Sequence, residues 1–217
     1  MRKRRAPRTP GAGEDAPYHH GALRDALLDA AQRVLERDGQ LTLRAVAREA
    51  GVSHAAPTHH FGDLTGLVSE LAAIGFTQFN AAMVAAGTAG PSLIDKAIAR
   101  AKAYVAYAQA HPGMYMLMFR IEHLDMTRPS LHEAASTSFA GLAGAIGASR
   151  QEQIHEAALS LDQAAAIARA WSLVHGFTML LLDNRLSDIL RRLPAGTDAE
   201  TLLEAMLRST VWRPPGT

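Results

Sequence analysis

Ser53, His54, Ala55, Thr58, His59 and His60 crowd into the run VSHAAPTHHF, Val52–Phe61. On a helix their side chains would offer hydroxyls, imidazoles and small apolar contacts along one edge. That is the chemistry of reading base edges in a DNA major groove. Hydroxyl and imidazole groups exchange hydrogen bonds with the bases, and alanine touches a thymine methyl or lets the backbone come close. The run holds no Arg, Lys, Asn or Gln, so the usual bidentate pairings to guanine and adenine are missing. His60 adjoins Phe61 and is as well suited to packing as to contact.

Other chemistries have less to stand on. The chain has no cysteine, which removes disulfides, thiol nucleophiles and Cys-ligated zinc together. Zinc needs three or four ligands converging on one point. The adjacent pairs His19-His20 and His59-His60 each offer one ligand per direction, so no metal is expected. A nucleophile elbow and a phosphate-binding glycine loop are both absent. The sequence calls for no cofactor, and an enzyme is not expected.

The elements that would hold the reading edge are legible around it. Thr42 can cap a helix starting at Leu43, with Leu43, Val46 and Ala50 on one face. Gly51 can end it in a left-handed turn, and Val52 can plug the corner. Ser53 can then cap a second helix running to about His60, with Pro57 as its fourth residue. Two short helices joined by a tight turn form a helix-turn-helix; an ordinary helical hairpin fits the same pattern. A preceding helix, about His20–Arg37, buries Leu23, Leu27, Ala30, Ala31 and Val34. Asp63 caps a following one, about Leu64–Ala86, whose apolar side is Leu64, Leu67, Val68, Leu71 and Ile74.

Further helices are expected at about Pro91–Ala110, Met114–Ile121, Leu131–Ile146, Leu161–Arg185 and Asp198–Arg208, with Glu122–Pro129 and Gly147–His155 as loops. The fold class is therefore all-α. Met114, Tyr115, Met118 and Phe119 lie within one turn and a half, and methionine re-packs readily enough to line an adaptable pocket; plain core explains them as well. Trp171, His175 and Met179 share the apolar stripe of the helix beginning at Leu161. A buried His175 needs a partner, which a ligand oxygen or a backbone carbonyl would supply. The Ala- and Gly-rich helix Leu131–Ile146 can pack closely, either across a twofold axis with the helix ending near Arg185 or within one subunit.

YHHGALRDALLDAA (Tyr18–Ala31), AREAGVSHAAPTHHFGDLTGLV (Ala47–Val68) and AWSLVHGF (Ala170–Phe177) together resemble the TetR family of bacterial transcriptional repressors. They resemble most the branch whose C-terminal domain carries a Trp…His-Gly signature, here Trp171, His175 and Gly176. The resemblance covers about Tyr18 to Leu207. It implies a homodimer that binds a palindromic double-stranded DNA operator and releases it when a small-molecule effector fills the C-terminal domain. It implies three parts: a disordered basic arm (1–17), a helix-turn-helix DNA-binding domain (18–65), and a ligand-binding and dimerisation domain (66–217). The sequence departs from the family twice. Thr58 stands where a phosphate-holding Tyr is usual, and Leu64 where Lys or Arg is common. His19, Arg24, Thr42 and Arg44 are left as candidate backbone contacts. A helical ligand-binding or interaction protein with weakened DNA binding is the alternative.

Charge is only mildly asymmetric. Residues 1–65 hold ten Lys/Arg against eight Asp/Glu, and five of the ten histidines. Arg2, Lys3, Arg4, Arg5 and Arg8 could touch phosphates or a minor groove, or form a solvated tail. No apolar run follows them, as a secretory signal would need. The most apolar stretch, Trp171–Leu182, is about a dozen residues against the roughly 20 that span a bilayer. A cytoplasmic protein without membrane contact is expected.

Overall fold

Thr42 starts the helix-turn-helix as its type predicts. In the computed structural model, which describes residues 16–209, its hydroxyl accepts a hydrogen bond from the Ala45 amide at 3.1 Å and caps α2 (Leu43–Glu49). Before it, α1 (Ala16–Asp38) turns Leu27, Leu28, Ala31, Val34 and Leu35 inward. Helix α1 begins ahead of His20, so the proposed arm 1–17 reaches into it at residues 16 and 17; the cations at 2–8 lie outside the described residues, as does the His19 side chain. Gly51, at φ 68°, makes the left-handed turn that an L side chain resists. The Val52 amide then closes onto the Ala47 carbonyl at 3.0 Å.

The next helix, α3 (Ala56–Phe61), is shorter than the sequence implies. Ser53 does not cap a helix from residue 54; its Oγ accepts from the Ala55 amide at 3.2 Å inside a turn. Pro57 explains the shift. Proline is at home in the first helical turn, where its missing N–H has no partner to lose, and costs a hydrogen bond further in.

Asp63 caps α4 (Leu64–Ala86) by accepting from the Gly66 amide at 2.8 Å. This helix is the centre of the molecule, touching α1 and α3 on one side and α5 (Leu93–Ala110), α6 (Pro112–Met118) and α7 (Pro129–Arg150) on the other. Leu67 and Leu71 are fully buried. Leu64, expected on the apolar side, is instead 38% exposed in the first turn. Helix α6 begins at a proline, as α3 does at its second residue. Its first amides are met from α1: Glu36 accepts from the Gly113 and Met114 amides at 3.1 and 3.2 Å. A short 3₁₀ turn, Ile121–His123, leads to α7, which runs on to Arg150 through residues that read as a linker. Helices α8 (Leu161–Leu182), α9 (Ser187–Leu190, a single turn the sequence did not signal) and α10 (Ala199–Ser209) complete the chain. No strand occurs among the described residues.

One hydrophobic core runs from Leu27, Val46 and Phe61 through Leu71 and Phe76 to Tyr107, Met114 and Leu131. A smaller cluster joins α5, α8, the N-cap of α9 and α10 through Ala101, Val105, Phe177, Leu186 and Leu203. By length and composition alone α4 and α8 are each long and apolar enough to cross a membrane, so the apolar run is longer than the dozen residues of Trp171–Leu182. Half of the α4 span is buried inside the fold, as suits its central place, but only 22% of the α8 span is.

Candidate nucleic-acid interface and effector site

The turn and α3 present Ser53, His54, Ala55, Thr58 and His59 to solvent, while Pro57 and Phe61 are buried on the opposite side. Amphipathicity has thus oriented the helix with its small and polar edge outward. His60 is half-buried, with its ring centroid 5.3 Å from that of His59 and 6.2 Å from that of Phe61, so it straddles the two roles open to it. Arg44 is exposed at the start of α2, and Thr42 is exposed with its hydroxyl engaged in the cap. Arg24 is committed elsewhere. Its guanidinium donates to Glu70 at 2.6 Å and its Cζ lies 5.5 Å from the centre of the Phe61 ring. The pair ties α1 to α4, with the Glu70 carboxylate largely hidden and the Arg24 side chain still 39% exposed.

In the larger half of the molecule Tyr115, Phe119, Trp171 and His175 do come together. Phe119 lies edge-on to His175 with centroids 4.8 Å apart, and Trp171 lies 6.4 Å from Phe119 and 6.3 Å from His175. Met114 and Met118 do not join them. Both are buried against α4, where a Cβ on Gly75 would meet their sulfurs at 2.7 and 2.9 Å, which makes them core. Met179 is partly buried against the same core.

His175 is partnered by side chains, not by a backbone carbonyl. The Tyr115 and Tyr104 hydroxyls lie 2.8 and 3.0 Å from its Nδ1, and 3.2 Å from each other. Burial holds the His175 imidazole below its ordinary pKa. It pushes the Tyr115 phenol up to about 12 and Tyr104 higher still. All three groups are therefore neutral at pH 7. Rings of Phe79 and Phe119 wall the cluster, Phe79 lying 5.0 Å from Tyr104. Tyr104 went unnoticed in the sequence. The available signal was Tyr104 and Tyr107 at i, i+3 on α5, one face of an amphipathic helix.

The cluster can hold a neutral hydrogen-bonding group against aromatic faces, and it reaches the surface at Trp171, which is 43% exposed. It is well packed. A groove of about 560 Å³ lies elsewhere, between α1, α4 and α7, and includes Arg24, Glu70, Asn80 and Glu133. Among the described residues no group of three or more His, Cys, Asp or Glu is placed to hold a metal ion.

A family model described as "Tetracyclin repressor-like, C-terminal domain" matches residues 97–210. A solved protein of unknown function from Rhodococcus sp. RHA1 is 31% identical, with a TM-score of 0.69 over 90% of this chain and 96% of that one. The TetR family transcriptional regulator PfmR from Thermus thermophilus shares the fold at 17% identity, with a TM-score of 0.54 over 84% of this chain and 94% of its own. So does the transcriptional regulator FadR from Bacillus subtilis, solved in complex with stearoyl-CoA, at 15% identity and a TM-score of 0.60 over 85% and 95%. No curated protein matches the chain in sequence.

Proposed function

Because this chain belongs to the tetracyclin repressor-like family of transcription regulators, which are not enzymes, we propose that it is a repressor. It binds a palindromic operator as a homodimer in the cytoplasm and lets go when a small molecule enters its C-terminal domain. The observation that carries this is the edge of α3 and its preceding turn, where Ser53, His54, Ala55, Thr58 and His59 stand exposed on a helix whose other side is locked into the core. In this reading residues 18–65 read DNA, with Thr42 and Arg44 on the phosphates, and residues 66–217 receive the effector and the second subunit. Trp171, His175 and Gly176 support the Trp…His-Gly branch. The effector would enter at Trp171 and displace the packing of Phe119 and Tyr115 around His175.

The second subunit is supported by α7 and α8. A Cβ added at Gly141, Gly144 or Gly176 would meet nothing within 4 Å. Leu161 and Leu180 are 88% and 44% exposed on α8. Two such helices from each subunit can close a four-helix interface.

Fluorescence anisotropy with duplexes flanking the chain's own gene tests the reading. We expect one duplex to bind at least about 10³-fold tighter than scrambled DNA at physiological salt, with two chains per duplex. Equal affinity for scrambled and flanking DNA would overturn it. A protein that ignores DNA yet is thermally stabilised by small apolar ligands would be the ligand-binding alternative.

A further inference from the structure

Arg128 is the residue before Pro129, at the N-cap of α7 (φ −68°, ψ 125°), far along the chain from the helix-turn-helix. Its guanidinium nevertheless reaches the last residue of α3. One terminal nitrogen donates to the Phe61 carbonyl at 3.2 Å, and the other donates to Glu70 Oε1 at 3.2 Å. Glu70 on α4 is a hub. Its Oε2 also accepts from Arg24 of α1 at 2.6 Å and from Ser130 of α7 at 3.2 Å. The loop that carries Arg128 is itself fastened to α4, because the Asp125 amide donates to the buried Ser69 hydroxyl at 2.8 Å.

The site admits the arginine only because residue 66 is glycine. A Cβ there would lie 2.0 Å from the Phe61 carbonyl oxygen and 2.5 Å from the Arg128 guanidinium. The Arg128 Nε is buried without a hydrogen-bond partner, 3.7 Å from Asp125. The side chain thus gives up solvation at one nitrogen in the geometry that spends the other two on Phe61 and Glu70.

A helix of six residues is marginal by itself, and its final carbonyls have no partner within the helix. We propose that Arg128 is a positioning residue for the reading edge: it fixes the end of α3 to α4 and to the start of α7. The tie rests on the reading that α3 faces DNA, but the anchoring of α3 is measurable without DNA. It gives the effector domain a route to α3 through the α6–α7 loop, parallel to the shaft of α4.

Hydrogen exchange of the α3 amides (His59–Gly62) and anisotropy with the bound duplex test this in Arg128→Ala, Arg128→Lys and Glu70→Gln. Losing one charge-assisted hydrogen bond predicts about tenfold faster α3 exchange in Arg128→Ala, and about tenfold weaker DNA binding at temperatures where the variant is folded. Arg128→Lys, a single point charge without the fork, should restore only part of either. Glu70→Gln, which keeps the packing, should loosen α3 in the same direction even if Arg128→Ala does not fold. Unchanged α3 exchange in the folded variants overturns the proposal. Faster exchange in a protein whose wild type binds no specific duplex would keep the anchor and remove only its DNA-reading role.

Discussion

Thr58 and Leu64 are exposed at the two positions where phosphate anchors are usual, so single residues can raise affinity without disturbing the core. Leu64→Lys should tighten binding to every duplex and steepen its salt dependence by about two units of slope, one for each chain of the dimer. Anisotropy across a salt series reads this directly; an unchanged slope would mean the first turn of α4 does not approach phosphates. His175 predicts a pH effect on stability. Its folded pKa lies below its ordinary value, about 6.5 in a free chain, because burial disfavours the imidazolium. The unfolded chain therefore takes up a proton first as pH falls, and stability drops from about pH 6.5 downward to the depressed folded pKa. The melting temperature of His175→Gln should fall less steeply over that range. That Ser53, His54, Ala55, Thr58 and His59 form an exposed edge was legible, because a surface edge needs only local periodicity. Tyr104 was not: it meets His175 across 71 positions, and only the packing of α5 on α6 and α8 brings them together. The ion pair of Arg24 escaped for the same reason, its partner Glu70 being 46 positions away.

At the scale of elements, caps and prolines set the boundaries. Thr42 and Asp63 each accept the backbone hydrogen bond their type predicts, so α2 and α4 start where the sequence places them, and Ser92, which the sequence analysis did not single out, caps α5 in the same way. Helix α3 starts at Ala56 and not at 54, because Pro57 outweighs Ser53. Helix α6 shows the limit of local reading: Glu36 caps it from another helix, which no window of sequence reveals. Glu36→Ala should leave the Gly113 and Met114 amides unpaired, at a cost of about 1–2 kcal/mol. A urea midpoint shifted by that amount with an unchanged m-value would confirm it, and no shift would show that water replaces the carboxylate.

At the scale of the molecule, the uncovered side of α8 predicts association. A sedimentation mass of two chains at micromolar concentration is expected. Leu180→Glu, a charge placed on an apolar position 44% exposed in one chain, should shift the mass to one chain without lowering helix content. A single-chain mass for the wild type would sink the dimer. If the dimer holds, an effector can release DNA only by as much as it prefers the non-binding arrangement, typically about 1–3 kcal/mol. Operator DNA must then weaken effector binding by the same factor.

The continuous core has a consequence for anyone recombining such proteins. Leu27, Val46 and Phe61 share one core with Met114 and Leu131, and Arg24 and Phe61 share Glu70 and Arg128 with α7. A chimaera cut just after Gly62, grafting this reading head onto a foreign sensor, would strand an arginine, a carbonyl and a buried ring at the seam. The transplantable cassette is larger than the helix-turn-helix. It must carry α4, α6 and the loop through Ser130, so reading head and sensor will exchange cleanly only between proteins that also match at that seam.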